Sequence, residues 1–128
     1  MSRSLLSTCS VAVAFAVSTA APAVFAQDEP VVVVVRVYPG VGREDELQAR
    51  YLKQAEFLRT FEPKASFRLH RSTKEPVTFL WYETYESQAA LENHLNVAMP
   101  AFRKEFGATP EGLVARPSDS ETYRELGK

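Results

Sequence analysis

The chain has 128 residues, with 15 lysines and arginines against 16 aspartates and glutamates. This balance, without any run of basic residues, argues against nucleic acid as a partner. The length allows one small domain together with a leader segment. The single cysteine, Cys9, lies close to the N-terminus, so the rest of the chain has no disulfide, thiol nucleophile or thiolate ligand.

The first 26 residues have the pattern of a secretory signal peptide, beginning with a positive charge at Arg3. An apolar stretch follows over Val11–Val17, and Val24 and Ala26 are small residues at the positions that define a cleavage site. We therefore predict cleavage after Ala26 and a periplasmic or secreted protein with no membrane contact after cleavage. Residues 27–30 would form a flexible N-terminus, and residues 31–128 would form the domain.

Two other interpretations of this leader fit less well. A membrane anchor would need a longer apolar run than this one, which is interrupted by Ser18, Thr19 and Pro22. A lipoprotein would carry its cysteine after the apolar stretch, whereas Cys9 precedes it.

The domain begins with a predicted strand over Val31–Tyr38, because this run consists mostly of β-branched residues. Both of its faces are apolar, which is typical of a strand that is covered on both sides. A helix is predicted from about Arg43 until Glu62 and Pro63 end it. The helix has acidic residues in its first turn, which suits its dipole, and one apolar face formed by Leu47, Tyr51, Ala55 and Leu58.

The second half of the domain begins with two more predicted strands. Ala65–Arg71 alternates, with Phe67 and Leu69 on one face, and a hairpin-like turn then leads to the third strand at Val77–Tyr85.

A second helix follows, with Ser87 at the N-cap position, and continues to about Ala98. Its inward face would contain Ala90, Leu91, His94 and Leu95. Met99 and Pro100 are expected to break this helix before a short helical piece at Ala101–Phe106. The last strand is predicted at Thr122–Leu126.

The order β-α-β-β-α-β predicts an α+β protein with a ferredoxin-like fold, in which both helices cover one face of a four-stranded antiparallel sheet. The other face would leave Val32 and Val34 exposed in an apolar surface. A second copy packed sheet against sheet would cover it, so we predict a homodimer.

One segment carries a family resemblance. The strand that ends in Glu83-Thr84-Tyr85-Glu86-Ser87, followed by Ala90-Leu91 and His94, resembles the antibiotic biosynthesis monooxygenase (ABM) family. The likeness extends over about residues 31–126 and includes Leu69-His70-Arg71 and Pro100-Ala101-Phe102. The family includes quinol monooxygenases and relatives of haem-degrading monooxygenases. The resemblance implies a dimeric α+β barrel, which agrees with the homodimer expected from the open sheet face.

Glu83 is the first candidate for chemistry, since it shares a strand face with Phe79, Trp81 and Tyr85. A carboxylate among aromatic side chains is desolvated, which raises its pKa and suits proton transfer. The alternative is a salt bridge to an arginine such as Arg36 or Arg68.

The other candidates each have a structural alternative. His94 lies on the inward face of the second helix, where a core histidine would also fit. Tyr85 occupies the position at which haem-degrading relatives carry a tryptophan, and Trp81 could line the same pocket, but both could simply pack in the core. His70 lies on the opposite strand face from Phe67 and Leu69 and is a weaker candidate for catalysis.

The predicted site therefore has three catalytic residues, His94, Glu83 and Tyr85. Its substrate-binding wall would contain Trp81, Val35, Leu91 and Phe102.

No metal site is predicted, because the two histidines lie on separate elements without ligand-like spacing. No phosphate-binding glycine motif is present, so no nucleotide cofactor is implied. The resemblance to quinol monooxygenases implies a reaction without any cofactor, in which the substrate itself forms a carbanion that reacts with oxygen. Such an enzyme needs an apolar pocket, a base and a donor for the developing oxyanion.

The sequence departs from the haem-degrading relatives at all three of their characteristic positions. Those relatives use an asparagine on the first strand, a tryptophan at the end of the third strand and an axial histidine after the second helix. The corresponding positions here are Val35, Tyr85 and the stretch Arg103–Phe106, which has no histidine. Haem degradation by that route is therefore not expected.

Two functional hypotheses follow. The first is an exported, cofactor-independent ABM-type monooxygenase acting on a quinol or polyphenolic compound. The second is a non-catalytic dimeric module that binds a small aromatic molecule or haem in the same pocket. The enzyme is favoured if Glu83 and His94 both point into one cavity, and the binding module is favoured if both are held in ion pairs or face solvent.

Overall fold

The computed structural model describes residues 29–127 and has the predicted β-α-β-β-α-β order. The predicted signal peptide, residues 1–26, lies outside the described residues. The strands and helices are β1 (Val31–Val37), α1 (Glu44–Phe61), β2 (Ser66–Arg71), β3 (Phe79–Tyr85), α2 (Gln88–Asn93), α3 (Met99–Phe106) and β4 (Asp119–Arg124). A single π-helical turn, His94–Ala98, joins α2 to α3.

The four strands form one antiparallel sheet in the order β2-β3-β1-β4. The valine-rich β1 is therefore a central strand, in which Val31 lies opposite Tyr85 and Val35 lies opposite Trp81 of β3. The predicted ferredoxin-like α+β fold is confirmed.

The core lies between the sheet and the helices. On β3 the alternate residues Phe79, Trp81, Glu83 and Tyr85 are all buried, as strand periodicity predicts. The predicted face of α1 packs on them, with Leu47, Ala55 and Leu58 buried and Tyr51 half-buried.

The opposite sheet face has no helix over it in the described residues. Val32 and Val34 are half-buried there, and Tyr82 and Tyr123 are 39% and 46% exposed. These residues line an open groove of about 430 Å³, which we call the open face. The homodimer that would cover this surface stays a prediction.

The second helix differs from the prediction. Met99 and Pro100 do not break it, because the Met99 N–H donates to the His94 carbonyl in a π turn and the chain continues directly into α3. Each residue rotates less in such a turn than in an α turn. The residues of this helical stretch that face inward are therefore His94, Ala98 and Phe102. The inward placement of Leu95 is wrong, since its side chain is 58% exposed.

The final strand also begins earlier than predicted, at Asp119 instead of Thr122. Every residue of β4 is exposed, so side-chain alternation gives no signal for it. Its backbone pairs with β1, with Asp119 opposite Arg36 and Tyr123 opposite Val32, and this pairing defines the strand.

Within residues 29–127, no helix combines the length and the hydropathy that crossing a bilayer requires.

Candidate functional site

Four titratable side chains meet at one end of the interface between sheet and helices, and we call them the polar cluster: Glu62, Glu83, Tyr85 and His94. Glu62 directly follows the last residue of α1, Glu83 and Tyr85 lie on β3, and His94 begins the π turn. Residues from three elements therefore converge here.

Local structure explains how two of these elements meet. Strand alternation places Glu83 and Tyr85 on the face that the helices cover. The Ser87 hydroxyl accepts a hydrogen bond from the Ala90 N–H at 3.1 Å and so begins α2, as its N-cap position predicted. His94 then faces the sheet, and its ring centroid lies 5.3 Å from that of Tyr85 and 5.6 Å from that of Phe67.

Glu83 and Tyr85 form the first pair of the cluster. The Tyr85 hydroxyl donates to Oε2 of Glu83 at 2.7 Å, and only 6% of the Glu83 residue is exposed. Burial raises the pKa of the Glu83 carboxyl, and the Tyr85 hydrogen bond and the nearby His94 partly oppose this shift. Burial and the adjacent Glu83 carboxylate raise the pKa of Tyr85, so its hydroxyl keeps its proton.

Arg36 and Arg68 do not form the ion pair with Glu83 that was the alternative in sequence. Both arginines are exposed on the open face, opposite Leu80 and Tyr82 of β3, and so point away from Glu83. Glu83 is therefore a buried carboxyl bonded to a neutral hydroxyl.

His94 and Glu62 form the second pair. Nδ1 of His94 lies 2.7 Å from Oε2 of Glu62, and the two side chains are only 6% and 8% exposed. An ionised carboxylate can only accept a hydrogen bond, so Nδ1 carries the hydrogen of this contact. The pair fixes both the tautomer of His94 and the orientation of Glu62.

A cavity of about 370 Å³ opens beside the cluster, and we call it the site cavity. Tyr85 and Glu62 line it, while Glu83 and His94 lie one layer behind, each bonded to a lining residue. Its apolar wall is formed by Phe61, Pro63, Ala65 and Ala90. This volume lies within the range of small-molecule sites.

The remaining polar residues of the site cavity are exposed. Nζ of Lys64 lies 3.7 Å from Oε1 of Glu86, and their side chains are 79% and 56% exposed. The opposite charges of this pair offset each other, so Glu62 is the further acidic residue of the lining.

The predicted wall residues lie elsewhere. Trp81 packs edge-on against Tyr51 of α1, with ring centroids 5.3 Å apart. Val35 lies opposite Trp81 in the sheet, and Leu91 is buried in the core. These three residues pack in the core beneath the helices.

Phe102 lies at the other end of the helices. Its ring stacks on Phe106 with centroids 4.8 Å apart, and the Arg50 guanidinium lies 5.3 Å from its centre. It lines a second cavity of about 250 Å³ together with Lys53 and Leu113. Of the seven predicted residues, the structure brings together Glu83, Tyr85 and His94, but only Tyr85 lines the site cavity. Glu83 and His94 do not both point into one cavity, as expected of the enzyme, and they are not both held in ion pairs, as expected of the binding module, since only His94 is paired with a charged group. The other four residues lie away from the site cavity.

Sequence reasoning missed Glu62, which it treated only as the end of a helix. One signal was available: a carboxylate at a helix C-terminus lies against the negative end of the dipole, where a cation is favoured. Such a residue needs a compensating partner, and here the partner is His94.

A metal centre finds no support in the part of the chain that the structure describes, 29–127. Within it, no three His, Cys, Asp or Glu side chains form a group that could hold a metal ion.

Solved structures with the same fold come from several bacteria. A Caulobacter crescentus protein proposed to be an antibiotic biosynthesis monooxygenase superimposes with a TM-score of 0.66 at 20% identity, covering 79% of this chain and 93% of that one. PA3566 from Pseudomonas aeruginosa gives 0.66 at 19% identity, with 79% and 98% covered. A variant of MhuD with two manganese protoporphyrin IX molecules per active site gives 0.63 at 19%, with 77% and 96% covered. These similarities show the fold.

The sequence itself gives the family. A comparison with curated proteins finds no match. Residues 30–105, however, match the family described as antibiotic biosynthesis monooxygenase, which is more than half of the chain and includes the whole polar cluster. The chain therefore belongs to the antibiotic biosynthesis monooxygenase family.

Proposed function

We propose that this protein is an exported, cofactor-independent monooxygenase that oxidises a quinol or polyphenolic compound and acts as a homodimer. The observation that carries the proposal is the site cavity, where Tyr85 lines an apolar pocket and is bonded at 2.7 Å to the buried carboxyl of Glu83. A buried titratable pair beside a pocket is a recognised mark of a reactive site.

The reaction needs no external reductant, because the quinol supplies the electrons. A hydroquinone and O₂ give a hydroxyquinone and water: one oxygen atom enters the ring and the other leaves as water. Deprotonation of a ring hydroxyl starts the process by leaving the O–H electron pair on the substrate. The protein then has to bind the ring, accept that proton and stabilise the developing negative charge.

The described residues can fill these roles. Phe61, Pro63, Ala65 and Ala90 offer apolar surface to the ring. The Tyr85 hydroxyl can bind a substrate oxygen while Glu83 holds it in place. Glu83 protonates more readily than an ordinary carboxyl because burial raises its pKa. A protonated Glu83 would release the Tyr85 hydrogen to donate to the developing oxyanion.

The alternative is a binding module for an aromatic molecule or haem. MhuD, which has this fold, has been solved with a manganese porphyrin. Neither histidine lines the site cavity, because His94 lies one layer behind it and His70 is exposed on the open face. Both the monooxygenase and the binding module would hold an aromatic ligand without iron in the site cavity. Only the monooxygenase would convert it, so turnover distinguishes the two functions.

The proposal is tested by incubating mature protein with a panel of hydroquinones, catechols and polyphenols and measuring oxygen uptake. If the protein is a monooxygenase, oxygen uptake should be proportional to protein concentration, and a hydroxyquinone should form. Saturable binding of the same compounds without oxygen uptake would support the binding module instead.

Export is tested separately by N-terminal sequencing of the protein recovered from its native compartment. If the signal peptide is cleaved after Ala26, the exported protein should begin at Gln27. Retention of residues 1–26 would contradict cleavage and support a membrane anchor.

A further inference from the structure

The four residues of the polar cluster do not have equal access to a substrate. Glu83 and His94 lie behind the lining of the site cavity, whereas Glu62 and Tyr85 form part of it. The buried Tyr85 hydroxyl keeps its proton. Of the two cluster residues that line the cavity, Glu62 is therefore the one with a carboxyl group, which is a common general base.

The surroundings of Glu62 suit a base that must be held in place. It lies just beyond the last turn of α1, where the helix dipole disfavours negative charge. The His94 N–H donates to Oε2 of Glu62 at 2.7 Å, which offsets the unfavourable interaction between the carboxylate and the helix dipole. A carboxylate has two acceptor oxygens, and Glu62 lines the site cavity while Oε2 is bonded to His94.

Resting on the proposed function, we infer that Glu62 is the catalytic base that takes the proton of a substrate hydroxyl, with His94 as its positioning residue. The substrate O–H bond breaks, its electron pair stays on the substrate oxygen, and the proton moves to the Glu62 carboxylate. The deprotonated quinol then reduces O₂ as above. Glu62 returns its proton to the water that leaves.

This assignment also defines the class of substrate. The Glu62 carboxylate lies in the lining and Glu83 lies behind it, while the exposed Lys64 is already paired with Glu86. A substrate that carries its own carboxylate would be disfavoured by like charge beside the Glu62 carboxylate. The site therefore favours neutral rings with two or more hydroxyl groups.

The first experiment measures oxygen uptake on a neutral hydroquinone. Glu62→Gln keeps an acceptor for the His94 N–H but removes the base, so turnover should fall roughly a hundredfold or more. Glu56→Gln, an exposed glutamate on the same helix, is the matched control and should keep wild-type turnover. Circular dichroism verifies folding of each variant.

Two substitutions of His94 separate positioning from direct chemistry. Asparagine can place an N–H near the position of Nδ1 and should retain most of the turnover, whereas His94→Leu removes the donor and should lower turnover at least about tenfold. Equal losses in both variants would show that the imidazole itself reacts, and the positioning role would be wrong.

The second experiment does not depend on turnover. Calorimetry compares binding of resorcinol, which cannot form a simple quinone, with binding of 3,5-dihydroxybenzoate. Wild-type protein should prefer the neutral compound by roughly tenfold or more, and Glu62→Gln should reduce that preference. If the wild type prefers resorcinol but shows no turnover, the oxygenase function would be overturned. Glu62 would still be the residue that faces the ligand.

Three results would overturn the inference itself. The first is full turnover by Glu62→Gln. The second is a preference for the neutral ring that does not change in this variant. The third is failure of the wild type to bind either compound.

Discussion

The two faces of the sheet each reverse the usual distribution of side chains. The face covered by helices buries two ionisable residues of β3, Glu83 and Tyr85, among aromatic and aliphatic neighbours. The open face exposes apolar surface, with Val32 and Val34 only half-buried and Tyr82 39% exposed. Buried polar groups and exposed apolar patches are the informative departures in a folded protein.

The two departures have different causes. Burial destabilises the charged form of a carboxyl group. A buried carboxyl group therefore points to a chemical role. An apolar patch is kept on the surface where a partner covers it. The comparison therefore agrees with the proposed catalysis at the covered face and predicts association at the open face, and a separate substitution tests each of these two predictions.

The largest effect is expected on the open face. Val34→Asp places an unpaired charge in the predicted dimer interface, at a cost of several kcal/mol. We expect loss of the dimer, with unfolding or aggregation, in sedimentation experiments. Val41→Asp is the matched control, because Val41 is 98% exposed in a loop and should tolerate the same change. A soluble monomer formed by the wild-type protein would contradict the dimer.

A smaller effect is expected for turnover on the covered face. Glu83→Gln keeps the acceptor for the Tyr85 hydroxyl but cannot be protonated to release the Tyr85 hydrogen to the developing oxyanion, so quinol oxidation should fall roughly a hundredfold. Substrate binding should change less, since the apolar wall of the site cavity is untouched. Full activity in a folded variant would mean that Glu83 is structural.

The smallest effect is a change in the pH dependence of stability. Because folding raises the pKa of Glu83 above its ordinary value of 4.5, the folded state holds this proton more tightly than the unfolded state. The stabilising contribution is complete below the unfolded pKa and is lost as the pH rises through the folded pKa. The free energy of unfolding of Glu83→Gln should therefore increase relative to wild type as the pH rises from about 4 to about 8.

Urea unfolding at several pH values measures this difference, with Glu56→Gln as the exposed control. A difference that stays constant, or that becomes smaller as the pH rises, would show that Glu83 is not destabilised by its charge in the folded protein.

The fold was predictable because its signals are local. A run of β-branched valines predicts β1 by composition, and the apolar face of α1 from Leu47 to Leu58 follows the helical period. The alternation of β3 also predicted that Trp81, Glu83 and Tyr85 would share a buried face, as they do.

The site was only partly predictable because it depends on contacts between elements. The hydrogen bond between Glu62 and His94 joins residues 32 positions apart, and no local pattern encodes it. Phe102 was predicted in the wall of the site and is buried, but it lines the second cavity instead, and no local pattern says which cavity a buried residue faces. Trp81 likewise shares the face of Glu83 yet packs beneath the middle of α1 against Tyr51.

The π turn at His94 has a consequence for changes in chain length. Four residues in an α-helix rotate about 40° beyond a full turn. A strict four-residue spacing, as from His94 to Ala98 to Phe102, would therefore drift around a regular helix. The wider turn absorbs much of this drift, so that all three side chains face inward. Losing or gaining one residue between Leu95 and Val97 would rotate the helix after this point relative to the helix before it. Either His94 or Phe102 would then turn out to solvent.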